Sequence, residues 1–138
     1  MAPALRTMSA NIAMSLVSIP NILKSDKPDL LFLQEISNTT EIVSDIVNKL
    51  GYSVECNIDP LHPTLPGTAI LWRSSLKVSE INQLIERRAQ SIKCAGECFF
   101  NIYAPFRFWK SEGKVELFQR VVRSHPPGWR RQVPGHVR

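Results

Sequence analysis

A chain of 138 residues with 43% hydrophobic side chains is long enough for one domain with its own core, and this composition is ordinary for a soluble globular protein. No apolar run reaches 18 residues, and the amino end lacks the basic and then apolar pattern of a secretory signal. We therefore expect an intracellular protein, nuclear or cytoplasmic, that is neither secreted nor inserted in a membrane. Its three cysteines form an odd set, which excludes a full disulfide framework.

The positive charge is concentrated near the carboxyl end. The net charge is +5, and no acidic residue follows Glu116, whereas five arginines do: Arg120, Arg123, Arg130, Arg131 and Arg138. Without these arginines the basic and acidic residues are equal in number, so we predict that the body of the domain over residues 1–122, apart from Arg120, is neutral. Residues 123–138 are rich in proline, glycine and arginine and poor in aliphatic side chains, which predicts a disordered basic tail.

The first part of the chain alternates strands and helices. Residues 5–13 are predicted to form a strand, followed by a short helix that Pro20 begins or bends and that ends near Lys24. The continuous apolar run from Leu30 to Leu33 is typical of a strand that is covered on both faces and has parallel neighbours.

The clearest helix comes next. Asn38 is predicted as its N-cap, with Glu41 in a capping-box relation and Gly51 just past its end. Its predicted apolar stripe consists of Ile42, Val43, Ile46, Val47 and Leu50. With a strand at 52–58, the order strand, helix, strand, helix, strand indicates an α/β domain.

The second part has the pattern of an antiparallel meander. After a proline-rich loop, strands are predicted at 67–72, 76–85, 88–94 and 98–104, and a last helix is predicted at 111–122. Short turns at Glu86-Arg87 and at Ala95-Gly96-Glu97 join the last three strands.

Glu35 is the most informative single residue for chemistry. It follows the buried apolar strand directly, and ligands of α/β sheets gather beyond the carboxyl ends of their strands. Taken alone, a carboxylate in this position is more often a solvated strand-end residue, so its neighbours must decide the interpretation.

Four motifs follow one another along the chain: Asn11, the run from Lys27 to Glu35 (KPDLLFLQE), Gly67-Thr-Ala-Ile-Leu, and Asn101-Ile-Tyr-Ala-Pro. Together, and in this order, they resemble the endonuclease/exonuclease/phosphatase superfamily over roughly residues 6–122. Their amino-acid sequences are most similar to those of the apurinic-type endonuclease domains of non-LTR retrotransposons. The resemblance implies a partial DNase I-like α/β sandwich, with one mixed sheet and flanking helices. With half of the strands missing, the inner face of that sheet would be exposed unless a partner covers it.

The resemblance also implies a site. Glu35 would bind magnesium or manganese with the help of Asn11, Tyr103 would contact the phosphate, Arg88 would serve the same neighbourhood, and the substrate would be DNA. The residues alone leave other interpretations open. Asn11 could form a turn, Tyr103 could be a core aromatic, and Arg88 is more simply a solvated charge on an edge strand.

Two motifs of the superfamily are missing from the sequence. Full members continue to a Gly-Asp-Phe-Asn-like motif and end with a Ser-Asp-His motif, whereas no aspartate follows Asp59 here and Ser124-His125 lacks the aspartate between them. The sequence therefore predicts a truncated metal-dependent DNA endonuclease that is inactive alone. One alternative is a non-catalytic nucleic-acid-binding or interaction fragment with a basic tail. Another is a relic or misjoined reading frame. Cleavage of RNA, phosphoinositide or sphingolipid uses the same metal site and stays open.

Overall fold

The computed structural model describes residues 4–104, and the structural account is confined to them. The elements are β1 (Thr7–Asn11), α1 (Ser18–Ser25), β2 (Leu30–Ile36), α2 (Thr40–Val47), a single 3-10 turn (Asn48–Leu50), β3 (Tyr52–Asn57), β4 (Gly67–Arg73), β5 (Val78–Ile85), β6 (Ala89–Cys94) and β7 (Glu97–Ile102). The predicted helix at 111–122 and the predicted tail at 123–138 lie outside the described residues. Neither helix of the described part is long and apolar enough to cross a bilayer.

The first sheet has four strands in the order β1-β2-β4-β3. β1 runs parallel to β2, with α1 in the connection between them, whereas β4 is antiparallel to both β2 and β3. β2 is a central strand, and its apolar residues from Leu30 to Leu33 are fully buried, which confirms the prediction of a strand covered on both faces. The prediction of parallel neighbours is right for β1 and wrong for β4, which is antiparallel.

The second sheet is an antiparallel meander in the order β5-β6-β7. Its two turns contain residues with positive φ at Arg87 (63°), Ala95 (52°) and Gly96 (76°), as expected at tight turns. The expectation of one mixed sheet is therefore wrong in number, although the α/β class is confirmed. Because β2 and β3 already occupy both edges of β4, the strand that follows β4 cannot pair beside it and begins a separate sheet.

Alternate side chains of β2 fill two different apolar layers. Leu31 and Leu33 pack with the buried residues of α1 and α2. Leu30 and Phe32 face the other way and pack with Ile92 and Cys94 of the second sheet. The inner face of the first sheet is thus covered within the chain itself, which corrects the expectation that it would be exposed.

Helix α2 begins one residue later than predicted. Its N-cap is Thr39, not Asn38, and the Thr39 hydroxyl oxygen accepts a hydrogen bond of 3.4 Å from the Ile42 N–H. Ile42 is 47% exposed, so it lies outside the apolar stripe in which we placed it. Gly51 has a φ of 85° just after the 3-10 turn, which matches its predicted place at the end of the helical segment.

Candidate active site

Glu35 lies in a β-bulge near the carboxyl end of β2. Gln34 pairs with Thr68 and Ile36 pairs with Gly67, so Glu35 is an extra residue without a partner on β4. Its φ of 58° is in the left-handed region, which is uncommon for a residue other than glycine. Bulges of this kind turn a side chain away from the regular alternation of a strand. The half-buried carboxylate therefore lies near the carboxyl end of the central strand β2.

Two side chains converge on one oxygen of this carboxylate. Asn11 Nδ2 donates a hydrogen bond of 2.8 Å to Glu35 Oε2, and the Tyr103 hydroxyl donates one of 3.0 Å to the same atom. Asn11 arrives by the parallel pairing of β1 with β2, in which it is the register partner of Gln34. Tyr103 directly follows β7 and so comes from the other sheet. The structure thus brings together three of the four residues predicted from the sequence.

The turn after β1 fixes Asn11 and the bulge together. Asn11 Oδ1 accepts a hydrogen bond of 2.9 Å from Ala13 N, and Met14 N donates one of 2.7 Å to the main-chain oxygen of Glu35. Ala13 and Met14 have positive φ values of 48° and 62°, and strained backbone of this kind clusters at functional sites. Asn11 is therefore both a turn-forming residue and a donor to Glu35. Its predicted role as a metal ligand stays a prediction, because its amide oxygen faces the turn.

Arg88 completes the group from below Tyr103. Its guanidinium carbon lies 5.5 Å from the centroid of the Tyr103 ring, a cation–π distance, and its main-chain oxygen accepts a hydrogen bond of 2.7 Å from Tyr103 N. Arg88 is 8% exposed and lies in the turn before β6, a central strand. The interpretation as a solvated charge on an edge strand is therefore wrong, since the turn directs this side chain inward against the tyrosine.

The carboxylate of Glu35 fits one hard divalent cation. Among the described residues, both hydrogen bonds that it accepts end on Oε2, so Oε1 can bind a cation. Residues 4–104 contain no group of three or more His, Cys, Asp or Glu side chains that could enclose a metal. Magnesium is commonly held by one or two carboxylates while it keeps several water molecules, which suits a single glutamate at an open edge.

The cysteines and the described histidine do not form a second chemical site. No disulfide joins the three thiols, and burial raises the pKa of each, that of Cys56 to about 12. Protonated thiols are poor nucleophiles and poor metal ligands at neutral pH. His62 is exposed and contacts Asp59 at 3.1 Å, and the Leu61 N–H hydrogen bond lowers the pKa of that aspartate. His125 and His136 lie outside the described residues.

Sequence reasoning missed two buried amides beside the site. Gln34 and Asn101 have no exposed surface, and the Gln34 side-chain nitrogen lies 3.0 Å from the Asn101 side-chain oxygen. The signal was present, since Gln34 is a polar residue at the end of an otherwise apolar run and Asn101 stands inside a strand. A polar residue at a position that burial favours for apolar side chains indicates a specific hydrogen-bonding role.

Comparison with known proteins shows the family of the chain. Residues 8–136 match the sequence profile of the Endonuclease/Exonuclease/phosphatase family. No curated protein matches the chain at a significant level.

Solved structures share the fold. An AP endonuclease from Archaeoglobus fulgidus matches with a TM-score of 0.66 at 23% identity, covering 88% of this chain and 49% of that one. The 3' phosphatase NExo from Neisseria, bound to a product DNA hairpin, gives 0.65 at 18%, with coverage of 88% and 52%. The human Nocturnin catalytic domain with bound sulfate gives 0.62 at 18%, with coverage of 88% and 59%. The chain thus spans about half the length of these structures, and the profile match over residues 8–136 shows that it belongs to the Endonuclease/Exonuclease/phosphatase family.

Proposed function

We propose that the chain is the amino-terminal half of a divalent-metal-dependent phosphodiesterase that acts on DNA, of the type found in non-LTR retrotransposons. The observation that carries the proposal is the convergence of Asn11 Nδ2 and the Tyr103 hydroxyl on Glu35 Oε2, at 2.8 and 3.0 Å. Three elements that are distant in sequence contribute one residue each. The left-handed backbone of Glu35 also costs free energy, and strain of this kind clusters at functional sites.

The residues divide the work by position. Asn11 and Tyr103 fix one oxygen of Glu35, so that the other oxygen would hold magnesium or manganese. The bound cation would supply positive charge to the scissile phosphate and to the leaving oxygen. Tyr103 would contact the phosphate when its single O–H turned from Glu35 to a phosphate oxygen, and Arg88, against the ring of Tyr103, would add positive charge beside it.

The second part of the proposal is that this chain alone turns over DNA slowly or not at all. No aspartate follows Asp59, so the sequence offers no Gly-Asp-Phe-Asn or Ser-Asp-His motif to position and activate the water. The chain spans 49% of the Archaeoglobus fulgidus AP endonuclease structure. A cation without an oriented base gives only part of the catalytic power of such a site, because the catalytic groups act as a unit.

The preference for DNA and for the retrotransposon type rests on two kinds of support. The Leu-Gln-Glu stretch that ends at Glu35 and the stretch from Asn101 to Pro105 are similar in sequence to those endonuclease domains. Among the structures with the same fold, one is an AP endonuclease and another was solved with a product DNA hairpin.

Binding and cleavage of DNA test the proposal separately. We expect Mg²⁺ to raise the affinity of the chain for a labelled DNA duplex, and we expect Glu35→Ala to remove that increase while leaving the fold intact. A plasmid-nicking assay with Mg²⁺ should show no robust turnover by either protein. Turnover that Glu35→Ala abolishes would show that the chain is active, and Mg²⁺-independent affinity in the wild type would contradict the metal site.

A second candidate function has its own support in the charge distribution. All five arginines after Glu116 fall between Arg120 and Arg138, so this end of the chain could bind nucleic acid phosphates without catalysis. In that case, removing residues 123–138 should abolish DNA affinity and its salt dependence, whereas Glu35→Ala should change neither. DNA affinity that survives the truncation would contradict this candidate.

A further inference from the structure

Asn101 on β7 ties the two sheets together at the level of the bulge. Its side-chain nitrogen donates hydrogen bonds of 3.0 Å to the main-chain oxygens of both Leu33 and Ala69, which are register partners on β2 and β4. Its side-chain oxygen accepts a third bond, also 3.0 Å, from Gln34 Nε2. All three bonds end on the residues that immediately precede Glu35 or lie opposite them, so the tie is fixed to the base of the bulge.

The tie continues to the strand that carries Asn11. Gln34 Nε2 also lies 3.0 Å from the Ser9 hydroxyl oxygen on β1. Asn101, Gln34 and Ser9 therefore form one line of polar contacts that runs from the second sheet, across β2, to β1. The three residues that meet at the site each lie on or beside a strand of this line: Asn11 on β1, Glu35 on β2 and Tyr103 just after β7.

The hydrogen bonds of Asn101 bear on how β7 is positioned along β2. β2 and β7 belong to different sheets, so no backbone ladder fixes how far one lies along the other. The hydrogen bond of 3.0 Å between the Tyr103 hydroxyl and Glu35 nevertheless requires that register to hold within a few tenths of an ångström. Apolar packing between sheets is non-directional and fixes position only loosely, whereas a buried amide with three directed bonds specifies one register.

We propose that Asn101 is a positioning residue, which acts through Gln34 and the β2 main chain to hold the Glu35 carboxylate where Asn11 and Tyr103 meet it. The metal-binding consequence of this positioning rests on the proposed function, but the geometric claim does not. A buried amide costs free energy of desolvation that an apolar side chain of similar size avoids, so packing alone does not account for asparagine at this position.

A matched pair of variants separates positioning from general stability. Asn101→Leu keeps the branching of the side chain at Cγ and removes all three bonds of the tie. Gln90→Met removes another inter-sheet bond of 3.0 Å, from a side chain that is equally buried and is the register partner of Asn101 on β6, but this bond ends on Glu55 O of β3, away from Glu35. The two variants therefore lose inter-sheet bonds of the same kind, and only one of them touches the bulge.

The first readout is the NMR signal of the Asn11 side-chain amide, with Glu35→Ala as the reference for a broken contact. We expect Asn101→Leu to move this signal toward its position in Glu35→Ala, and Gln90→Met to leave it in place. An unchanged signal in folded Asn101→Leu, or an equal shift in Gln90→Met, would overturn the proposal.

The second readout is Mn²⁺ affinity, which Asn101→Leu should weaken about tenfold or more, as expected for a residue that orients a ligand. If the wild type binds no Mn²⁺, the proposed function fails while the amide signal still decides the positioning. If Asn101→Leu does not fold, Gln34→Met cuts the link from the β2 side and is read in the same way. Loss of folding in both variants would show that the tie maintains the fold and not the carboxylate, which also overturns the proposal.

Discussion

Glu35 has a backbone conformation that costs free energy and that its neighbours maintain. A non-glycine residue in the left-handed region costs on the order of 1 kcal/mol. Met14 N bonds the Glu35 main chain, while Asn11 and Tyr103 bond its side chain, so the strain is held from both ends. The position of Glu35 after an apolar strand was readable from the sequence. The bulge could not be predicted, because the same pattern of apolar residues also occurs in regular strands that contain no extra residue.

Cys56 predicts how stability depends on pH. Burial, the largest cause, raises the pKa of its thiol from an ordinary 9.0 to about 12 in the folded chain. The unfolded chain therefore releases this proton at lower pH than the folded chain does. The contribution of this thiol to the free energy of unfolding is fully present below pH 9. It is lost as the pH rises toward 12, by about 1.4 kcal/mol per pH unit.

Urea unfolding at a series of pH values from about 8 to about 10.5 measures the slope. Tyr52, Cys94 and Cys98 also have pKa values that burial raises, so the slope has the same sign for all four groups. Cys56→Ala should make the loss of stability shallower without removing it. Parallel curves for the two proteins would contradict a buried, protonated thiol at this position.

At the scale of elements, helix α2 shows what sequence reasoning resolves and what it does not. Its existence, its place between two strands and the glycine at its end followed from periodicity. The cap did not, since Asn38, Thr39 and Thr40 are consecutive residues of types that all favour caps and turns. The choice of Thr39 belongs to tertiary structure. Thr40 instead accepts a hydrogen bond of 3.0 Å from Cys56 N on β3, which places the first turn of the helix against the sheet.

The cap assignment can be tested by a pair of substitutions. Thr39→Ala should lower the free energy of unfolding by about 1 kcal/mol, because it removes the oxygen that satisfies the Ile42 N–H. Asn38→Ala should change it by less than about 0.5 kcal/mol. Thermal or urea unfolding of both variants gives the comparison, and a larger loss in Asn38→Ala would restore the N-cap that the sequence first indicated.

Gly67 is the first residue of β4 and lies opposite the bulge of β2, at a point where β3 and β4 approach closely. A Cβ atom at this position would overlap the main-chain oxygen of Asn57 on the neighbouring strand β3. We expect Gly67→Ala to destabilise the fold by about 2 kcal/mol, since backbone rather than a flexible side chain must move. Gly96→Ala is the control, because a Cβ there meets nothing within 4 Å and only the positive φ of 76° opposes it. Equal losses in the two variants would contradict the close approach of β3 and β4.

At the scale of the whole molecule, the described part is a sandwich of two sheets with helices on one side. The sequence predicted the strand positions and the meander, but pairing between distant strands depends on which edges are already occupied, and no local pattern encodes that. Its predicted site residues did come together, because Asn11, Glu35 and Tyr103 each lie at or just beyond the carboxyl end of a strand. Only the alternative interpretation of Arg88, as a solvated charge on an edge strand, was wrong, because burial of a turn residue is a tertiary property.

Family membership at half length gives the molecule its central question. The profile match runs from residue 8 to residue 136, whereas the chain spans 49–59% of the three compared structures. The proposed function requires that the 138 residues bind a cation at Glu35 without turning over DNA. Metal binding at Glu35 is therefore the point on which the rest of the account depends.

The most direct test is a Mn²⁺ titration of the 138-residue chain, followed by electron paramagnetic resonance, for the wild type, Glu35→Gln and Glu41→Gln. Glu41 is an exposed carboxylate on α2 and controls for loss of charge alone. We predict one saturable site in the wild type and in Glu41→Gln, and its loss in Glu35→Gln, which keeps the shape of the side chain. Undiminished Mn²⁺ binding by Glu35→Gln would contradict the account.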